Sequence, residues 1–152
     1  MTHTSNNQAF STIEMLLSIS IVALLAGISI PIYNALRLRN DLEIATFTIA
    51  GTIRRAEHLA QAVDGDTSWG VFVEDGSITL FKGLFNGASF SSRDANFDEV
   101  YEIARSITIS GLTEIILLKF SGEPLAIGTI TLTSSTQETR VITVNEKGMV
   151  AY

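Results

Sequence analysis

The sequence predicts an α+β fold: a long N-terminal helix, apolar in its first half and amphipathic in its second, packed on an antiparallel β head of two small sheets. Three observations carry this. Positions 15–36 hold no charged residue. From Leu38 to Val63 apolar residues recur at steps of three and four, which is one face of a helix. Beyond Asp66 the period falls to two, with turn residues between short apolar runs.

Composition sets the frame. The chain has 152 residues, 46% hydrophobic and 17% charged, where roughly 25% charged is usual. This is too apolar for a disordered chain. With no cysteine there are no disulfides, thiolate metal sites or cysteine nucleophiles. The net charge of -6 disfavours a nucleic-acid binder. That charge is unevenly placed. Residues 10–63 balance four acids against four bases, whereas residues 64–152 hold twelve acids and six bases. The layout is a neutral apolar stalk and an acidic head.

The first element is the run Met15 to Leu36, long enough for the ~20 apolar residues that cross a bilayer core. Ser18, Ser20 and Ser29 dilute it, but a serine in a helix can return its hydroxyl to the carbonyl four residues back. A buried core helix is the weaker reading, since a helix apolar all round needs a larger protein to bury it. A cleavable secretory signal is weaker too. Its apolar region is about 7–15 residues, follows basic residues and precedes a small-residue cut. Residues 1–9 contain no Lys or Arg. The run therefore reads as a retained anchor.

Pro31 removes an amide donor and crowds the carbonyl of Gly27, itself a weak helix former. Together they predict a kink near the end of the apolar run. Past it, Leu38, Leu42, Ala45, Ile49, Ile53, Ala56, Ala60 and Val63 form the stripe of a continuing helix, with Arg39, Asp41, Glu43, Arg54, Glu57 and Gln61 off it. From Phe10 to Val63 a continuous helix is about 80 Å long. Asp64-Gly65-Asp66 ends it, and the linker is residues 64–68.

The head follows. Trp69–Glu74 and Ser77–Phe81 are strands around an Asp75-Gly76 hairpin turn. Residues 83–104 read as irregular. Ile107–Ile109, Glu114–Phe120, Thr129–Thr133 and Arg140–Val144 are further strands, and Asn145–Gly148 turns into Met149–Tyr152. That makes seven β segments and no second helix of any length.

Catalytic constellations are scarce. His58 lies on the amphipathic helix as a surface or packing residue, and His3 lies near the start. A zinc site of the usual kind is not expected. Asp64 and Asp66 lack the further oxygen ligands of a calcium loop, so a helix stop is preferred. The acidic group Asp94, Asp98, Glu99 and Glu102 reads as a solvated loop. Trp69 and Phe72 read as core packing, and Arg54-Arg55, flanked by Glu57, is not a phosphate patch. No cofactor is expected. Glu14 is the odd residue: a carboxylate just inside an apolar helix is costly and has a partner as a rule. The helix N-terminus favours it, and a free amine nearby would favour it more.

At these residues the chain resembles type IV pilins and type II secretion pseudopilins. That family has a short polar leader, a glycine, then Phe-Thr-Leu-Ile-Glu opening a long apolar helix. Here the segment is Ala9-Phe10-Ser11-Thr12-Ile13-Glu14-Met15-Leu16-Leu17. Pro31 and Tyr33 match the Ile-Pro-x-Tyr end of the membrane helix. Ala9 stands where the family has glycine, and the leader lacks its basic residues, while Arg37 and Arg39 lie just past the run. By charge bias alone that opposes the family's orientation. Later segments, Ile53–Val63, Trp69–Val73, Ile78–Gly83, Gly128–Thr133, Arg140–Asn145 and Gly148–Val150, are similar in pattern to minor pseudopilins of the GspH/FimT class.

The resemblance implies residues 1–9 as a prepilin leader, 10–36 as the transmembrane and filament-core helix, 37–63 as its amphipathic continuation and 64–152 as the β head. It implies prepilin peptidase cutting between Ala9 and Phe10, N-methylation of Phe10, and Glu14 neutralising the terminal amine of a neighbouring subunit. The expected function is a non-enzymatic minor pseudopilin or minor pilin of a type II secretion pseudopilus or type IV pilus. Its partners are the peptidase, other subunits of the filament and, before assembly, the lipid bilayer. Its place is the bacterial inner membrane, single-pass with the head extracytoplasmic, and then the filament. The alternatives are a DNA-uptake minor pilin, disfavoured by the acidic head, and a signal-anchored extracytoplasmic binding protein.

Overall fold

The computed structural model describes residues 11–152, with the side chains of residues 28–32 outside that description. The leader and the expected cleavage and methylation site, Ala9 and Phe10, therefore lie outside the described residues. The architecture is α+β: one α-helix, α1 (Thr12–Gln61), and two antiparallel four-stranded sheets. The chain forms two compact units that meet after Leu36, within α1.

The first unit is helix alone over its described part. Ser18 Oγ donates to the Glu14 carbonyl at 2.8 Å and Ser20 Oγ to the Leu16 carbonyl at 2.7 Å, so these hydroxyls are satisfied inside the helix. The large apolar side chains Ile13, Met15, Leu16, Leu17, Ile19, Ile21, Val22, Leu24, Leu25, Tyr33 and Leu36 are between 49% and 76% exposed. Among the described residues, no helix is long and apolar enough to cross a membrane. The expected span 10–36 takes in Phe10, which is outside the description, and the side chains of residues 28–32, which are too.

The second unit, Arg37–Tyr152, holds the core. Leu42, Ala45, Ile49, Ile53, Ala56 and Ala60 of the expected stripe are fully buried, while Leu38 and Val63 at its ends are half-buried. Each Leu or Ile buried there contributes roughly 1.5–3 kcal/mol. Thr46 and Thr52 are buried beside the stripe and send their hydroxyls to the carbonyls of Leu42 and Thr48, both at 2.8 Å.

The helix stops through backbone geometry. Val63, Gly65 and Asp66 have φ of 58°, 67° and 58°, which no α-helix tolerates. The Ala60 carbonyl, past the last regular helical bonds, accepts from the Val63 amide at 3.2 Å and from the Phe120 amide at 3.1 Å. Asp64–Asp66 form a 3-10 turn, and Trp69 Nε1 donates to the Asp64 carbonyl at 3.0 Å. The helix thus ends at Gln61, two residues before the expected Val63.

The strands are β1 (Trp69–Glu74), β2 (Ser77–Gly83), β3 (Arg93–Glu102), β4 (Ile107–Gly111), β5 (Glu114–Leu117), β6 (Gly128–Ser134), β7 (Thr139–Val144) and β8 (Val150–Ala151). The first sheet has the order β3-β2-β1-β5 and the second β4-β6-β7-β8. Val71, Val73, Ile78, Leu80, Ile115 and Leu117 from the first sheet meet Ile107, Ile130, Leu132, Ile142 and Val144 from the second in one cluster with the helix stripe. Asp75, at the β1–β2 turn, ties the sheets together: its Oδ1 accepts from the Ile109 amide at 2.7 Å.

Among the described residues there are eight strands, not seven, and residues 83–104 are not irregular throughout. β3 pairs with β2 from Ser77↔Glu102 to Leu80↔Glu99 and again at Lys82↔Asp94 and Gly83↔Arg93, with a bulge between. It is an edge strand with no fully buried residue, so it carries no apolar alternation to read. β5 ends at Leu117 rather than Phe120. The chain reverses there: the Leu118 amide donates to the Glu123 carbonyl, and Phe120 and Gly122 take φ of 71° and 67°.

The β2–β3 connection makes a second small core on the outer face of the first sheet. Phe90, in a 3-10 turn at Phe90–Ser92, stacks on Phe72 at 4.2 Å and meets Phe81 edge-on at 5.4 Å. The Arg93 guanidinium covers Phe90 at 3.7 Å and pairs with Asp98 at 2.8 Å. Gly70 lies under the Phe81 ring, where any Cβ would collide with it. Trp69 packs in the main core, as expected, whereas Phe72 belongs to this outer one.

Candidate assembly surface

The groups singled out in the sequence lie on α1. Glu14 is in its first turn and exposed. The Ser11 carbonyl starts the helix by accepting from the amides of Glu14 and Met15, at 3.0 and 3.2 Å. The Glu14 carboxylate makes no ion pair among the described residues. It is the first charge on a helix whose neighbours, Ile13, Met15, Leu16 and Leu17, all face outward. Burying such a surface against lipid or protein removes the carboxylate from water, and it then needs a cation supplied from outside the helix.

At the kink expected around Gly27 and Pro31 the helix runs on without a break. At Gly27 a Cβ would meet nothing within 4 Å. The Pro31 side chain lies outside the description. A shallow hollow of about 330 Å³ lies along the same helix, lined only by Ser18, Ile19, Val22, Ala23 and Ala26.

The helical part of the second unit carries an outward face that the sequence reading passed over. Ile44 and Phe47 are about half exposed, opposite the buried stripe, and Gly51 next along that face is open. The Tyr152 ring meets Phe47 edge-on at 5.4 Å, and Arg54 lies over Tyr152 at 5.4 Å. Two apolar residues three apart, off the core stripe, were the available signal.

Polar groups considered for chemistry are dispersed. Arg55 pairs with Glu99 at 2.6 Å and donates to the Tyr101 hydroxyl at 3.0 Å, while Tyr101 donates to the other oxygen of Glu99 at 2.9 Å. Burial, then the bond and charge of Glu99, push the Tyr101 hydroxyl above its ordinary pKa of 10.0. Asp98 pairs with Arg93, Asp94 accepts from Asn96, and Asp66 pairs with Lys119 at 2.9 Å. The acids expected in a solvated loop thus lie along a strand and are mostly paired. His58 is exposed in the last turn of α1. Among the described residues no group of three or more His, Cys, Asp or Glu is placed to hold a metal ion.

No protein-family model, curated protein or solved structure matches this chain.

Proposed function

We propose that the chain is a non-enzymatic structural subunit of an extracytoplasmic filament, a minor pilin or pseudopilin of the GspH/FimT kind. The observation that carries this reading is the exposed apolar surface of residues 12–27 and 33–36, with Glu14 in the first turn, on a chain whose core, among the described residues, lies within Arg37–Tyr152. A helix exposed on all sides has to be covered. Lipid covers it first, in the inner membrane with the head outside, and other subunits cover it in the filament.

In this reading prepilin peptidase cuts between Ala9 and Phe10, and the new amine is methylated. Glu14 then sits four residues from the terminus, about one helical turn. On leaving the membrane its carboxylate pairs with the terminal amine of a neighbouring subunit. That pairing offsets the cost of burying a charge, set at about 2.5–3.5 kcal/mol on insertion scales. It is also directional, because each subunit offers one acid and one amine. A head-to-tail contact of that kind propagates into a filament where its rotation does not close a ring.

The test is filament incorporation. Glu14→Ala is expected to reach the membrane at wild-type levels and to be missing from sheared filaments. Glu14→Asp, which keeps the charge, is expected to recover part of the incorporation. Wild-type incorporation of Glu14→Ala would remove the assembly role.

A further inference from the structure

Two loops meet at the end of the head where α1 terminates. The first, residues 84–92, is fixed at many points. The Phe85 carbonyl accepts from Ser68 Oγ at 3.2 Å, Gly87 donates to Ser68 Oγ at 3.0 Å, the Phe90 amide donates to Glu114, and Leu84 donates to the Ser92 carbonyl at 3.1 Å. The second, residues 118–125, is closed by Leu118–Glu123 and Gly122–Leu118 bonds and anchored on the helix through Phe120. Asn86 Oδ1 accepts from the Lys119 amide at 2.9 Å, and Gly87 lies against Leu118 and Leu125. Loops tied this firmly have no evident need for apolar tips. Yet Leu84, Phe85, Phe120 and Leu125 stand 65%, 60%, 68% and 54% exposed. Phe120 does so with φ of 71°, a strained backbone for a bulky residue.

We propose that Leu84, Phe85, Phe120 and Leu125 form a docking surface for an amphipathic helix of a different protein. Three observations select that occupant. The four side chains are uncharged, and bordering charges are closed on one another, Lys119 with Asp66 and Glu123 with Lys147, each at 2.9 Å. The partner is therefore apolar where it touches. The neighbouring edge of β5 is taken by the chain itself, through the Leu125–Ile116 bond and the Leu117↔Pro124 bridge, so no backbone ladder is open to an added strand. Recognition is left to side chains, the mode in which a helix presents anchors at steps of three and four. The exposed area is on the order of 500 Å², below the ~800 Å² that each partner brings to a standard interface, which fits a single helix better than a stable dimer of this chain. The proposal stands whether or not the chain belongs to a filament.

The test uses the absence of cysteine. Asn86→Cys and Ser121→Cys, exposed positions beside Phe85 and Phe120 that leave all four apolar side chains in place, are labelled with a maleimide in the full-length chain, once in the cells that make it and once after purification in detergent. Ser135→Cys, in the exposed β6–β7 turn, is the control. Labelling of the two patch positions is expected to be lost in cells and restored on purification, with the control labelled in both. A photo-crosslinker at position 121 is expected to give adducts with one segment of another protein, at residues three or four apart. Patch positions open in cells would overturn the proposal. So would positions blocked in the purified chain as well, with a crosslinked product of twice its mass, which would make the occupant a second copy. Adducts on alternate residues would also overturn it, since they indicate a strand.

Discussion

At the scale of single residues, Glu14 has no chemistry of its own beyond its charge, and its interest comes from where that charge stands. It is the only acid between Phe10 and Asn40. On the isolated helix it is solvated, and its cost arises only when the surrounding apolar side chains are covered. The Glu14→Ala variant therefore has an unusual expected profile: no loss of head stability, normal membrane insertion and lost assembly. Tyr101 makes a second residue-scale prediction. Its pKa is raised in the folded chain, first by burial and then by Glu99. Its neutral form is thus favoured by folding. That contribution is complete below pH 10 and is lost as pH rises through the raised value. Urea unfolding between pH 9 and 11 is expected to show a steeper loss of stability for wild type than for Tyr101→Phe. Equal slopes would mean that Tyr101 titrates normally.

Among the elements, the outer aromatic core is the most sensitive to test. Gly70 leaves room for the Phe81 ring, so Gly70→Val overpacks a strand-loop contact and is expected to cost about 1–3 kcal/mol in urea unfolding. Phe90→Ala removes the ring that stacks on Phe72 and carries Arg93, at a cost of about 2 kcal/mol. Amide exchange is expected to rise across residues 84–92 in that variant while the helix stripe stays protected. These elements also show what sequence can carry. The helix stripe, β1, β2, β6 and β7 were legible because burial on one face imposes a period. β3 was not, since a bulged edge strand paired on one side needs no apolar alternation. The early end of β5 was not legible either, because a left-handed Phe120 is set by its bond to the helix end and leaves no mark in composition. Glu14 stood out as a charge in an apolar run, whereas Leu84 and Phe85 lay in a stretch with no period against which to be exceptional.

Taken whole, the molecule divides by solvent preference. The buried side chains of the core cluster all belong to residues from Leu42 onward, and the twelve acids of residues 64–152 keep the head in water. A fragment Arg37–Tyr152 is expected to fold cooperatively without detergent, with a single urea transition by circular dichroism. A fragment that needed detergent would mean that residues before Arg37 complete the core. The filament reading adds what folding does not require: a leader, an exposed apolar helix and one carboxylate at its start. Its most direct test is the mass of the N-terminus after expression with and without a prepilin peptidase. The account predicts a chain beginning at methylated Phe10, and only when the enzyme is present. An intact Met1 terminus in its presence, with the protein in the membrane, would contradict it and leave a signal-anchored protein in which Glu14 has no amine to meet.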